Sequence, residues 1–189
     1  MAAEVEAPVH TIRKLSAALR GEEATGKTSW AYTAPKPIVG FNFDMGAERA
    51  IWGAKYEEFF AGLDIHIEPY TPAHFTGSKL EPEPPKLWGE HDITIYELPQ
   101  QIQLDDELLH GCRELWAYFI GLLGNAVSDP AVSSIVLDTG TIARRVRADA
   151  HLQGLQENKK PSDAPRKQLL QIEWGVPGDA IRNIYTLMA

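Results

Sequence analysis

The chain has 189 residues, 44% of them apolar, with a formal net charge of −8 and one cysteine, Cys112. That size and apolar share suit one domain, residues 1–189, with its own core. A single cysteine excludes an internal disulfide framework and a four-cysteine zinc site, and no apolar run reaches the 18 residues of a membrane helix. The opening MAAEVEAPVH lacks the basic-then-apolar order of a secretion signal, so a cytoplasmic location is expected. The charge is uneven. Residues 141–189 hold eight basic and five acidic residues, a surplus of +3, which leaves −11 on residues 1–140. An acidic body argues against broad binding to duplex DNA and leaves room for a local basic surface near the C-terminus.

In chain order, Leu15–Leu19 reads as a buried strand leading into Gly21. A helix begins at residue 27 and ends before Pro35. Ile38–Phe43, rich in β-branched and aromatic residues, reads as a buried strand. Residues 45–60 suit a helix, with Ala50, Ile51, Ala54 and Phe59 near one face. Residues 64–92 carry Pro69, Pro72, Pro82, Pro84 and Pro85, and the run KLEPEPPKLWG suits neither a helix nor a central strand. A proline-rich surface insertion is expected there. Ile93–Tyr96 resumes as a strand. Residues 105–127 give the clearest helix, with Leu108, Cys112, Leu115, Phe119 and Leu123 at three- and four-residue steps and Asp105 and Asp106 suited to its N-terminus. Ser134–Leu137 is a strand ending at Asp138. Helices are expected at 142–157 and 179–188. Strands alternating with helices imply an α/β fold with a largely parallel sheet flanked by helices.

The segment GEEATGKT, Gly21 to Thr28, fits G-x-x-x-x-G-K-[ST] at every fixed position. Average composition gives such a match by chance on the order of one per cent of the time in a chain this long. Gly21 and Gly26 let the backbone turn so that N–H groups of Glu22, Glu23, Ala24, Thr25 and Gly26 face one anion. Lys27 would reach the β- and γ-phosphates of ATP and Thr28 would offer its hydroxyl to Mg²⁺, with Ser29 next in the binding segment. Glu22 and Glu23 are expected to point to solvent.

SSIVLDTGT, Ser133 to Thr141, is an apolar strand ending in an aspartate, the place from which a P-loop protein holds Mg²⁺ through water. A cap for the following helix is the alternative role for Asp138. Thr139, not a glutamate, follows, so a hydrolytic base has to come from elsewhere. The strand 38–43 ends at Asp44, with Glu48 one turn on; either could polarise the attacking water, and Asp44 could equally cap the next helix. The six histidines lack H-x-x-x-H spacing and read as surface residues. The tryptophans read mostly as packing residues, with Trp88 a candidate for stacking.

LRGEEATGKTSWAYTAPKPIVGFNFDMGAERA resembles the start of phage-encoded AAA-type ATPases with a RecA-like core, with Asp44-Met45-Gly46 in the place of the acidic residue and glycine that close their second strand. DPAVSSIVLDTGT and QIEWGVPGDAIRNIYTLM are similar to later segments of that group. The resemblance implies a RecA-like P-loop NTPase fold, ATP and Mg²⁺ as ligands, a homo-oligomer, and a part in phage DNA recombination or single-strand annealing inside the host cytoplasm. It also implies a further strand with a polar sensor residue beyond Ala189. Residues 23–24, Glu-Ala, stand where the group has Pro-Gly. Arg144, Arg145 and Arg147 follow the Asp138 strand and could meet single-stranded DNA or a neighbouring subunit. Two other functions fit the motif: a small-molecule phosphotransferase with those arginines as a lid, or a non-hydrolysing nucleotide-binding interaction module.

Overall fold

The computed structural model describes residues 17–22, 25–53, 55–70, 88–100, 108–158 and 166–188. Its elements are α1 (Lys27–Ala31), β1 (Ile38–Asn42), α2 (Ala47–Trp52), α3 (Glu57–Phe60), β2 (Ile65–Glu68), β3 (Ile93–Glu97), α4 (Cys112–Ser128), β4 (Ser134–Asp138), α5 (Gly140–Glu157) and α6 (Gly175–Met188). A 3₁₀ turn, Gln171–Trp174, leads into α6. The four strands form one parallel sheet in the order β2-β3-β1-β4, so the chain is an α/β protein with helices on both faces of the sheet.

Side chains alternate across a strand, and the two faces of this sheet have different tasks. Ile38, Ile93, Ile95 and Val136 point to one side, where they pack with Tyr32, Ile51 of α2 and Phe60 of α3. Val39, Phe41, Phe43, Tyr96 and Leu98 point to the other, against Leu115 and Phe119 of α4, Val146 of α5 and Ile181 of α6. The second core is the larger. Phe119 sits edge-on to both Phe41 and Phe43, with centroids 5.2 and 5.1 Å away, a geometry that adds attraction beyond area burial. Strand β1 is buried over its whole length, as expected of an inner strand covered on both sides.

Of the expected strand Leu15–Leu19, residues 15 and 16 lie outside the described residues, while 17–20 are exposed and not in a strand. Alanine-rich Ala17-Ala18 has little strand preference to set against this. The expected helix 45–60 is two helices: Gly53 is extended (φ −66°, ψ 134°), and a side chain there would overlap the Arg49 carbonyl. Phe59 is consequently exposed rather than packed with Ile51. The segment 64–92 is not wholly an insertion, because 65–68 is β2, paired in parallel with β3; residues 71–87 lie outside the described residues. The long helix begins at Cys112 instead of 105, after Gly111 at φ 77°; Asp105 and Asp106 lie outside the described residues. Its first amides are met from a distance, since Gln153 Oε1 accepts from Cys112 N–H and Arg113 N–H at 2.9 and 3.0 Å. Trp88 is buried, with its indole N–H donating to Tyr96 at 3.1 Å, so it packs the core and offers no stacking face. Trp30, Trp52 and Trp174, expected as packing residues, are exposed.

Candidate functional site

The loop from Gly21 to Thr28 lies on the α1–α3 side of the sheet. Gly26 takes φ 80°, a left-handed conformation that costs a side-chain-bearing residue energy, and a Cβ there would also overlap the Tyr56 hydroxyl. Glu23 and Ala24 lie outside the described residues; Glu22 is exposed, as expected. The Lys27 ammonium turns back into the loop. It donates to the carbonyls of Gly21, at 3.0 Å, and Glu22, and lies 3.4 Å from Thr25 Oγ1. Thr25 Oγ1 in turn donates to Glu22 O at 2.9 Å. A cation solvating loop carbonyls from inside is a charge held where an anion can replace those carbonyls as its partner. Ser29 is buried and ties the loop helix to α2, its hydroxyl donating to Ala50 O at 2.6 Å. That hydroxyl is therefore spent on the fold.

The register aligns three polar residues at the carboxyl ends of adjacent strands. Asn42 of β1 stands level with Glu97 of β3 and with Asp138 of β4. Level residues of parallel strands point to the same face, so all three face the phosphate loop. Asp138 Oδ2 accepts from the Thr28 hydroxyl at 2.6 Å. Burial holds the Asp138 carboxyl above the usual carboxylate range and Asp44 pushes it the same way, while the Thr28 hydrogen bond and Lys27 oppose them. The Glu97 carboxyl is also raised, first by burial and then by Glu48. Tyr32, buried beneath, is raised by burial and by Asp138, Asp44 and Glu97. Four carboxylates thus stand at one end of the sheet, and their repulsion favours the protonated forms of Asp138 and Glu97.

Among the described residues no group of three or more His, Cys, Asp or Glu side chains could by itself hold a metal. Magnesium does not ask for one. It keeps several waters and binds through one or two protein oxygens plus substrate phosphates, and the Thr28–Asp138 pair offers two hard oxygen groups already in contact. The donor set fits Mg²⁺ bound together with a polyphosphate and fits poorly a metal bound by the protein alone.

Asp44 and Glu48 are brought to this end of the sheet, both exposed. Asp44 Oδ1 accepts from Gly46 N–H at 3.0 Å, in the turn that opens α2. The arginines divide. Arg144 and Arg145 are exposed; Arg147 is partly buried, its guanidinium 5.7 Å from the Trp116 ring centre. Arg144 lies over Trp174 at the same distance. Burial raises the Asp149 carboxyl above its ordinary range, and Arg145, one helical turn before it, opposes that rise.

The structure adds Asn42, Tyr56 and Glu97 to the residues expected from the sequence. The signal for Glu97 was present: ITIYE, like SIVLD, is an apolar strand that ends in an acid. Asn42 is the one polar side chain in IVGFN, and only the register shows that it stands between two acids.

No protein-family model matches the chain, and comparisons with curated proteins and with solved structures find no match either. The fold and the site therefore speak through their own geometry.

Proposed function

We propose that the chain is a P-loop nucleotide-binding protein of RecA-like type that binds ATP with Mg²⁺ and hydrolyses it, in the service of phage DNA recombination or single-strand handling. The observation that carries the reading is the Thr28–Asp138 hydrogen bond at 2.6 Å. It joins the last residue of a phosphate-loop motif to an acid at the carboxyl end of a parallel strand, the crevice where open α/β sheets bind ligands. Lys27 holds the phosphates as a point charge; Thr28 and, through water, Asp138 hold the metal. Magnesium, when bound, neutralises developing charge on the phosphate oxygens. The DNA part rests on the resemblance of the sequence and on exposed Arg144 and Arg145 in an acidic chain.

The test is Mg·ATP binding followed by phosphate release with and without single-stranded DNA. Binding with DNA-stimulated release supports the whole reading. Absence of ATP binding removes it. Transfer of phosphate to a metabolite would favour a phosphotransferase, and binding without turnover a nucleotide-dependent interaction module.

A further inference from the structure

Thr139 follows Asp138 where a hydrolytic base could stand, and Asn42 and Glu97 lie level with Asp138 on the adjoining strands. Asn42 is 0% exposed. Its Oδ1 accepts from Asp44 N–H at 3.2 Å, which fixes the orientation of the amide. Its Nδ2 is buried and has no hydrogen-bond partner among the described residues. A buried N–H without an acceptor destabilises the fold, so an inner strand keeps one when something not yet bound accepts from it. The amide faces the phosphate-loop side, flanked by Asp138 and Glu97. The Glu97 carboxylate makes no hydrogen bond or ion pair among the described residues, unlike that of Asp44, which is engaged by Gly46 N–H.

Resting on the phosphate-loop reading, we propose that Asn42 and Glu97 are the water-handling pair of this site: the Asn42 amide holds the attacking water and the Glu97 carboxylate takes its proton. The water oxygen bonds to the γ-phosphorus as the bond from phosphorus to the β–γ bridging oxygen breaks. ADP leaves with that electron pair, and one water proton passes to a Glu97 oxygen. Spacing supports the assignment. Neighbouring strands lie about 4.8 Å apart, so Asp138 and Glu97 are separated by roughly 10 Å across β1. That span takes a metal-bound phosphoryl group on the Asp138 side and an in-line water over Asn42. Burial and the nearby Glu48 raise the proton affinity of Glu97, as a general base working near neutral pH requires. A purely structural Asn42 would have its Nδ2 spent on the fold.

The experiment compares the parent with Glu97→Gln, Glu97→Ala and Asn42→Ser. Three quantities are measured: Mg·ATP affinity, binding of ADP with aluminium fluoride as a mimic of the transferring phosphoryl group, and single-turnover hydrolysis with and without formate. Glu97→Gln should bind Mg·ATP within about threefold of the parent and lose roughly a hundredfold or more in hydrolysis, in the range of general-base effects. Both Glu97→Gln and Asn42→Ser should bind the aluminium fluoride complex at least tenfold more weakly. Formate should restore part of the Glu97→Ala rate, which replacement of a structural carboxylate would not allow. Parent-like hydrolysis in Glu97→Gln overturns the proposal, as does a parent that binds Mg·ATP and never hydrolyses it. A parent that fails to bind ATP removes instead the reading beneath it. Should Asn42→Ser melt early, Glu97→Gln, on a partly exposed side chain, decides alone.

Discussion

The Tyr56 hydroxyl occupies the space over the α-carbon of Gly26 that a side chain would fill. Two costs therefore meet at Gly26→Ala: the positive φ of 80°, about 1–3 kcal/mol for a residue other than glycine, and the overlap with the ring. Urea unfolding should show Gly26→Ala less stable by at least the first amount. Adding Tyr56→Ala should recover the overlap and leave the backbone cost in place. A Gly26→Ala chain as stable as the parent would mean that the loop takes another shape.

Lys27→Ala should weaken ATP binding at least tenfold while shifting the melting temperature little. Its ammonium donates only to loop carbonyls and the Thr25 hydroxyl, contacts that hold no packed element. Loss of charge-assisted bonds worth about 1.5–3 kcal/mol each lowers affinity by at least tenfold and by about a hundredfold for the stronger case. Isothermal titration and melting curves on the same samples check both halves, and unchanged affinity would remove the phosphate loop as the binding site.

Asp138→Asn should separate stability from ligand binding. Burial and Asp44 make the charged carboxylate unfavourable in the folded chain, so at neutral pH the neutral amide should leave the ligand-free protein as stable or more so. The same change should weaken Mg·ATP binding more than binding of metal-free ATP. Equal weakening of the two would assign Asp138 to the fold and not to the metal.

The two exposed arginines and the packed one should behave differently. Arg144→Ala with Arg145→Ala should reduce the salt dependence of single-stranded DNA affinity by about 1.4 in log-log slope, at about 0.7 per contact. Arg147→Ala should leave that slope alone and lower stability by about 0.5–1 kcal/mol or more through its lost contact with Trp116. A slope unchanged in the double variant would make these arginines a solvated helix face or a subunit contact.

Alkaline pH should reveal Cys112. Burial, with Asp149 and Glu114, pushes its thiol from 9.0 up to about 12. Below pH 9 the thiol is neutral in both folded and unfolded chains and contributes no pH dependence. Between 9 and about 12 the unfolded chain loses the proton first, so stability falls as pH rises through that window. Denaturant midpoints at several alkaline pH values should decline less steeply in Cys112→Ala than in the parent. Identical slopes would show that the thiol is not buried as described.

Much of this was legible in the sequence where one local rule governs. The strands at 38–42, 93–97 and 134–138 are short apolar runs, and the Asp138 terminus and GEEATGKT stand out by residue type alone. What was not legible depended on contacts far along the chain. The helix at 112 begins where it does because Gln153, 41 residues away, meets its first amide. Residues 45–60 carry a helical pattern that Gly53 breaks by its backbone. Glu68 and its strand were hidden by nearby prolines, and β2 exists because β3 pairs with it. Asn42 has no motif at all, since its meaning comes from the strands on either side.

The alternation along each strand has an evolutionary consequence. Asn42 sits between Phe41 and Phe43, Glu97 between Tyr96 and Leu98, and Asp138 follows Leu137, all five apolar neighbours packed in or against the larger core. Each polar residue is thus one peptide unit from a large side chain on the opposite face. A substitution that repacks the far layer tilts the strand end that carries the chemistry, so the two properties are inherited as one trait. Drift in the sequence would be expected to change Phe41, Phe43 and Phe119 in concert, or not at all, for as long as the opposite face is in use.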